Sequence, residues 1–368
     1  MKKIKSIFLC LLFGAFSGIV VWLFIRIMSL GMFFLWEWLP NKVNIYLLRF
    51  LICVIGAAII GVFRKKFGDY PEEMILVMGK IKTDKFYDYK KLPIIFVGAL
   101  LPIIIGSSVG PEAGLVGLIV ALCYLTRDIS KIKEQQFSKS VTIIIYVLSA
   151  ILAVGVLLVL NKLSGKSMSH FPSVTAGVFE LKDALMVIPY IIVGLILGLY
   201  YEYSEKGLHF VAGKIPPILK ETIAGICLAG LGCLIPMLMF SGEEELGELF
   251  KNYGNYLPLF LIALSFLKLT LTNICIQFGL KGGHLFPMIM AASCLGYGVA
   301  MLAFPESAGH VELAAAIVSA ASLGVGVKKP ILITLVLMLV FPLVYTPGIF
   351  VVAFIGAKFC NKIFGEEK

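Results

Sequence analysis

Two apolar stretches of this chain are broken by glycine-rich runs, Gly106-Ser107-Ser108-Val109-Gly110-Pro111-Glu112 and Gly282-Gly283-His284-Leu285-Phe286-Pro287. Both lie among segments apolar enough to sit in a bilayer. Backbone without regular hydrogen bonding survives at that depth only where protein buries it or where it lines a watery cavity. The fold must therefore gather both breaks into its interior, which points to one shared solute site.

Composition places the chain in the membrane. It has 368 residues, of which 60% are hydrophobic and 15% charged, well beyond the apolar share of a soluble domain. About a dozen apolar segments predict an all-α polytopic membrane protein, because a helix needs roughly 20 apolar residues to cross a core of about 30 Å. The segment over residues 92–105 reaches only about 21 Å as a helix, so it is expected to end inside the bilayer, just before the first break. The opening Met1-Lys2-Lys3-Ile4-Lys5 resembles the start of a signal peptide, but its apolar run continues past the usual length without a cleavage site. It reads as a retained helix.

The net charge of +10 has a topological explanation and implies no nucleic-acid partner. Arg64, Lys65, Lys66, Lys80, Lys82, Lys85, Lys90 and Lys91 crowd one loop region, whereas the loop after the first segment carries only Lys42. The positive-inside rule then puts the N-terminus and the 64–91 region in the cytoplasm. Eight cysteines lie in or beside apolar segments, with no CxxC or Cys/His ligand spacing. They read as packing residues, with no metal and no cofactor expected.

Pro111 and Pro287 are separated by 176 residues, close to half the chain. This spacing suggests a duplication, with a first membrane repeat over 1–170 and a second over 171–368 forming one transmembrane domain, joined between Asn161 and Leu181. Transporters built from such repeats bring discontinuous helices together near the midplane. In each break, glycine loosens the backbone and proline suits a helix start, where a missing N–H costs nothing. Each helix start carries about half a positive charge, and two of them attract a monovalent anion by roughly 4 kcal/mol at about 4 Å and an effective dielectric near 20. An anion held that weakly is also released.

The residues resemble the CLC family of chloride channels and proton-coupled chloride transporters. Phe266-Leu267-Lys268-Leu269-Thr270-Leu271-Thr272 followed by Gly282-Gly283-His284-Leu285-Phe286-Pro287 is similar to that family's lysine-containing helix and its glycine-glycine-x-phenylalanine-x-proline element, with the phenylalanine displaced by one. Ser107-Ser108-Val109-Gly110-Pro111 looks like its glycine-arginine-glutamate-glycine-proline element, and Gly68-Asp69-Tyr70-Pro71-Glu72 like a reduced glycine-serine-glycine-isoleucine-proline element. Ala320 through Leu335 resembles its later helix pair. The resemblance implies an inverted-repeat bundle, a homodimer with a pore in each protomer, and a place in a bacterial plasma membrane. It also implies an anion pathway where 68–72, 106–112 and 282–287 converge, with Ser107 or Ser108 as ligands.

Several positions depart from the family pattern. Val109 stands where the family has its gating glutamate, and Gly68 or Asp69 where it has an inner-mouth serine. Tyr345 is the candidate for its central tyrosine, and no cytoplasmic regulatory domain is expected before Lys368. Because valine carries no proton, the leading expectation is passive conduction of a small monovalent anion, chloride by default. The alternative is proton-coupled antiport through a displaced carrier, Glu112, or through His170 or His284. Glu112 also suits a plain structural role, since a first-turn carboxylate stabilises a helix start by about 0.3 to 1 kcal/mol.

Val109, Leu285 and Phe286 are expected either to pack or to form a hydrophobic constriction. Lys268 is expected to set the local field or to make a structural contact, and Arg26 and Arg49 to be structural. Gly106-Ser107-Ser108-Val109-Gly110 also satisfies GxSxG, making Ser108 a hydrolase nucleophile with His284 or His310 as base, but that motif needs a strand before the serine. A structural membrane subunit with no conduction is the last alternative.

Overall fold

The computed structural model describes residues 2–40, 45–135, 137–164, 181–303 and 310–365. Among them the chain is helical almost throughout. In order run α1 (Lys2–Phe33), α2 (Ile45–Phe67), α3 (Met74–Thr83), α4 (Leu92–Ile104), α5 (Glu112–Ser130), α6 (Lys139–Leu163) and α7 (Leu181–Ala212). They are followed by α8 (Leu219–Leu234), α9 (Glu243–Asn252), α10 (Pro258–Gln277), α11 (Leu285–Ala303), α12 (His310–Val327), α13 (Pro330–Leu337) and α14 (Thr346–Phe364). Eight helices among the described residues are long and apolar enough to cross a membrane. The expected boundary between repeats falls largely on 165–180, and His170 with it, outside the described residues.

Two helix groups form the body. In one, α1 packs on α4, α5 and α6; in the other, α12 is the hub for α7, α11 and α14, with α10 against α11. Helix α2 crosses between them, packing on α4 from its own half and on α8 from the other. Apolar side chains such as Phe8, Leu12, Ile143, Ile151, Ile192 and Phe354 remain exposed on the outer helices, as a lipid-facing surface requires. By contrast α11 is buried along most of its length.

Lipid tails are as apolar as leucine, so packing rather than the hydrophobic effect must hold such helices together. Small residues at the crossings allow it. A Cβ on Gly18 of α1 would overlap the Ala153 carbonyl of α6, and Gly324 of α12 meets Gly356 of α14 in the same way.

Some apolar segments are shorter as helices than their hydropathy suggests. Helix α4 has 13 residues, as expected for a segment ending within the bilayer. The apolar run 330–345 forms a helix only as far as Leu337, followed by a turn and a short 3-10 segment over Leu343–Tyr345. Pro342, which lacks an N–H, sits where a helix through this run would need a donor.

Candidate anion site between the two broken helices

Both breaks are built by the same local device. Helix α4 ends with Gly106 at φ +80 and α10 with Gly279 at φ +100, a left-handed conformation natural to glycine. Gly106 N–H donates to Ile103 O and Ser107 N–H to Pro102 O at 3.1 Å; Gly279 N–H donates to Ile276 O and Leu280 N–H to Cys275 O at 2.7 Å. This is the Schellman pattern in both places, and it satisfies carbonyls that would otherwise be orphaned in the membrane. Trp36 Nε1 adds a donor to Ile104 O at 2.9 Å.

The breaks then meet. Gly110 N–H donates to Gly283 O, and Gly283 N–H to Gly110 O, both at 2.7 Å, an isolated antiparallel bridge joining points far apart in sequence. Beside it, α5 begins at Glu112 after Pro111, and α11 at Leu285. Phe286 N–H, in the first turn of α11, donates to Glu112 Oε1 at 2.9 Å. Glu112 Oε2 is buried without a hydrogen-bond partner among the described residues. It occupies the space that a Cβ on Gly110 or on Gly283 would fill, so the bridge glycines make the pocket that admits the carboxylate. A carboxylate therefore lies at the positive end of α11, where an anion would be held.

The other residues singled out from the sequence take distinct places. Val109 is fully buried, and a Cβ on Gly282 would overlap its side chain; it packs in the core. Ser108 Oγ lies 3.1 Å from Thr272 Oγ1, while Ser107 Oγ is buried with no partner among the described residues. A helix, α4, precedes Ser108, so the strand that a nucleophile elbow needs is missing at this position. Nor is Ser108 paired with His284, whose Nε2 has no partner among the described residues. The His310 side chain lies outside the described residues. Arg26 is stacked over the Trp22 ring at 5.7 Å.

Lys268 is fully buried, and its Nζ donates into a cage of four carbonyls, Met237, Leu238, Met239 and Phe240, at 3.3, 3.1, 2.8 and 2.9 Å. Phe240 N–H in turn donates to Gly106 O at 3.1 Å. Lys268 thereby holds the 237–240 turn against the first break.

Gly68, at φ +97, opens the loop that carries Asp69 and Tyr70. Tyr70 O lies against Gly98 of α4, and Asp69 reaches Lys281 of the second break at 2.8 Å. The 68–72 loop thus lies against α4 and the second break. Burial pushes the Asp69 carboxyl upward, but Lys281 and Arg64 outweigh it and hold the group below its usual range.

Two residues escaped the sequence reading. Tyr345 is buried in the core with Tyr297 and Phe341, whereas the tyrosine at the second break is Tyr201 of α7, its ring 5.4 Å from that of His284. Glu243, in the first turn of α9, has its carboxyl pushed up to about 7, first by burial and then by the charge of Glu112. A run of three glutamates on a polar helix reads locally as solvated surface, so nothing in the sequence marked it.

Comparison with known proteins bears on the fold. A family model described as voltage gated chloride channel matches residues 135–361, a span that begins after the first break and includes the second. No curated protein matches the chain. The fold is similar to that of a slow cyanobacterial Cl−/H+ antiporter, with a TM-score of 0.75 at 17% identity over 98% of this chain and 95% of the other. It is similar to a CLC-type fluoride/proton antiporter, with a TM-score of 0.72 at 18% identity over 98% and 95%. A eukaryotic CLC transporter also superposes, with a TM-score of 0.70 at 13% identity over 99% of this chain and 72% of that one.

Proposed function

Because the chain belongs to the voltage gated chloride channel family, we propose that it is a membrane transporter exchanging chloride for protons, with Glu112 as the group that carries the proton and yields the anion site. The observation that carries this reading is the Glu112 carboxylate on Phe286 N–H at the start of α11. An ionised Glu112 fills the position a chloride ion needs. Protonation removes its charge and weakens its hold on the helix start, since about half a charge at about 4 Å attracts an anion by roughly 2 kcal/mol. Chloride then takes the helix start that the protonated carboxyl has given up, and the proton leaves when the carboxylate returns, so exchange follows from one site serving both ions.

Passive conduction rested on Val109 being unable to gate. Val109 is packed against Gly282, and a carboxylate three residues further on reaches the helix start, so the proton-coupled reading is the better supported of the two. The solved relatives described as Cl−/H+ and fluoride/proton antiporters point the same way. The pathway in this reading runs past Gly68, Asp69 and Tyr70 and between Gly106–Glu112 and Gly282–Phe286. The N-terminus is cytoplasmic, the two repeats are 1–170 and 171–368, and the functional unit is a homodimer with one pathway per protomer. No catalytic chemistry is assigned.

The test follows chloride and protons together in proteoliposomes at controlled membrane potential. An outward chloride gradient is expected to drive protons inward against their own gradient, and Glu112→Gln to keep chloride flux while losing proton movement. Chloride flux in the unaltered protein with no proton movement would return the assignment to a passive channel.

A further inference from the structure

Arg64, in the last turn of α2, and Lys281, in the second break, meet over a single carboxylate. Asp69 Oδ1 accepts from Arg64 Nε at 2.8 Å and from its Nη2, and Asp69 Oδ2 lies 2.8 Å from Lys281 Nζ. The two cationic side chains are 10% and 14% exposed, but Asp69 is 55% exposed. The innermost acceptor is anchored. Glu221, 1% exposed, takes Arg64 Nη1 at 2.5 Å while its second oxygen accepts from Ile218 N–H at 2.6 Å. Glu73, 42% exposed and 3.4 Å from Lys281, is the N-cap residue of α3, where its side chain makes no capping bond. Asp69 sits in the same loop, immediately after the left-handed Gly68. Among these carboxylates it is the one in contact with both cations, so its rotation is what frees the pair.

We propose that Arg64 and Lys281 form an anion-docking site beside the second break, that Asp69 is its tethered competitor, and that the site favours small planar oxyanions over halides. When Asp69 turns away, Arg64 keeps Nη1 on Glu221 and presents the Nε–Nη2 edge, two parallel donors matched by two oxygens of a planar anion. A spherical halide satisfies that edge less well. Charge does not oppose the exchange, because a bound monovalent anion restores the sum that Asp69 gives up. With Asp69 in place, two cations face three carboxylates, Asp69, Glu73 and Glu221; with Asp69 gone, the charges balance. The site lies on the transport pathway proposed above, and its function there rests on that reading.

The experiment compares the half-saturating concentrations of nitrate and chloride for efflux from proteoliposomes containing the full chain. If Asp69 leaves the pair vacant about a tenth of the time, Asp69→Ala lowers the nitrate and chloride values alike by about tenfold, because the competitor taxes every anion equally, and nitrate keeps the lower value of the two. Asp69→Asn, which keeps the shape and drops the charge, moves both in the same order and serves if the alanine variant does not fold. Adding Arg64→Lys to either variant is expected to erase the preference for nitrate, because an ammonium lacks the fork. Unchanged values in both Asp69 variants, or a chloride value at or below that of nitrate, would overturn the proposal. Should the unaltered protein move no anion, the transport reading fails separately. The site itself is then decided by calorimetric titration of nitrate into detergent-solubilised Asp69→Asn, where tighter binding than in the unaltered protein upholds it and equal binding overturns it.

Discussion

Glu112 and Gly283 depend on each other. The carboxylate fits only because no Cβ stands at Gly110 or Gly283, and the atom that a methyl would meet is the tip of a flexible side chain. Gly283→Ala is therefore expected to evict Glu112 from the α11 start while the fold survives. The lost contact is worth about 0.3 to 1 kcal/mol, so chloride occupancy should rise roughly two- to fivefold, and flux should lose its pH dependence, as in Glu112→Gln. Flux in Gly283→Ala that kept the pH profile of the unaltered protein would break the link.

Glu243 makes a second residue-scale prediction. Its folded-state value of about 7 lies above the unfolded value near 4.3. Its contribution to stability is thus complete below about pH 4 and is lost as pH rises through about 7. Thermal unfolding in detergent should show a decline across this window that Glu243→Gln flattens.

At the scale of elements, the 237–240 turn adds a buried ammonium to the backbone bonds of a short 3-10 helix over Pro236–Leu238. Lys268 has three hydrogens for four carbonyls, and the turn it orders holds Gly106 O through Phe240. Lys268→Met keeps the volume but removes the donors, leaving buried carbonyls unpaired. A loss of about 3 kcal/mol is expected, read as a lowered melting temperature in detergent. A melting temperature equal to that of the unaltered protein would mean the carbonyls find other donors. Both breaks also show that a helix can end within a membrane when its carbonyls are satisfied locally, here by one glycine and one 6→1 bond each.

For the whole molecule, close helix contact matters more than apolar burial, because lipid offers the same apolar surroundings. The crossing of α1 and α6 at Gly14 and Gly18 illustrates this. Gly18→Leu adds apolar surface yet should destabilise by about 1 to 3 kcal/mol, since the backbones must separate. The same change at Gly155 of α6, where a Cβ would meet nothing within 4 Å, should leave melting unchanged.

The sequence by itself determined the membrane class, the places where helices break, and the family, because apolar run length, glycine and proline act on backbone within a few residues. Helix starts at Glu112 and Leu285 follow from such local rules, as does the early end of α4. What only the tertiary structure decided is which side chains share the site. The hydrogen bond from Phe286 to Glu112 spans 174 residues, Val109 disappears into the core against Gly282, and Tyr201 rather than Tyr345 reaches His284. Each of these depends on how two distant halves pack, and on angstrom-scale room left by glycines in the opposite half. No local pattern encodes that complementarity, which exists only once the helices are in contact.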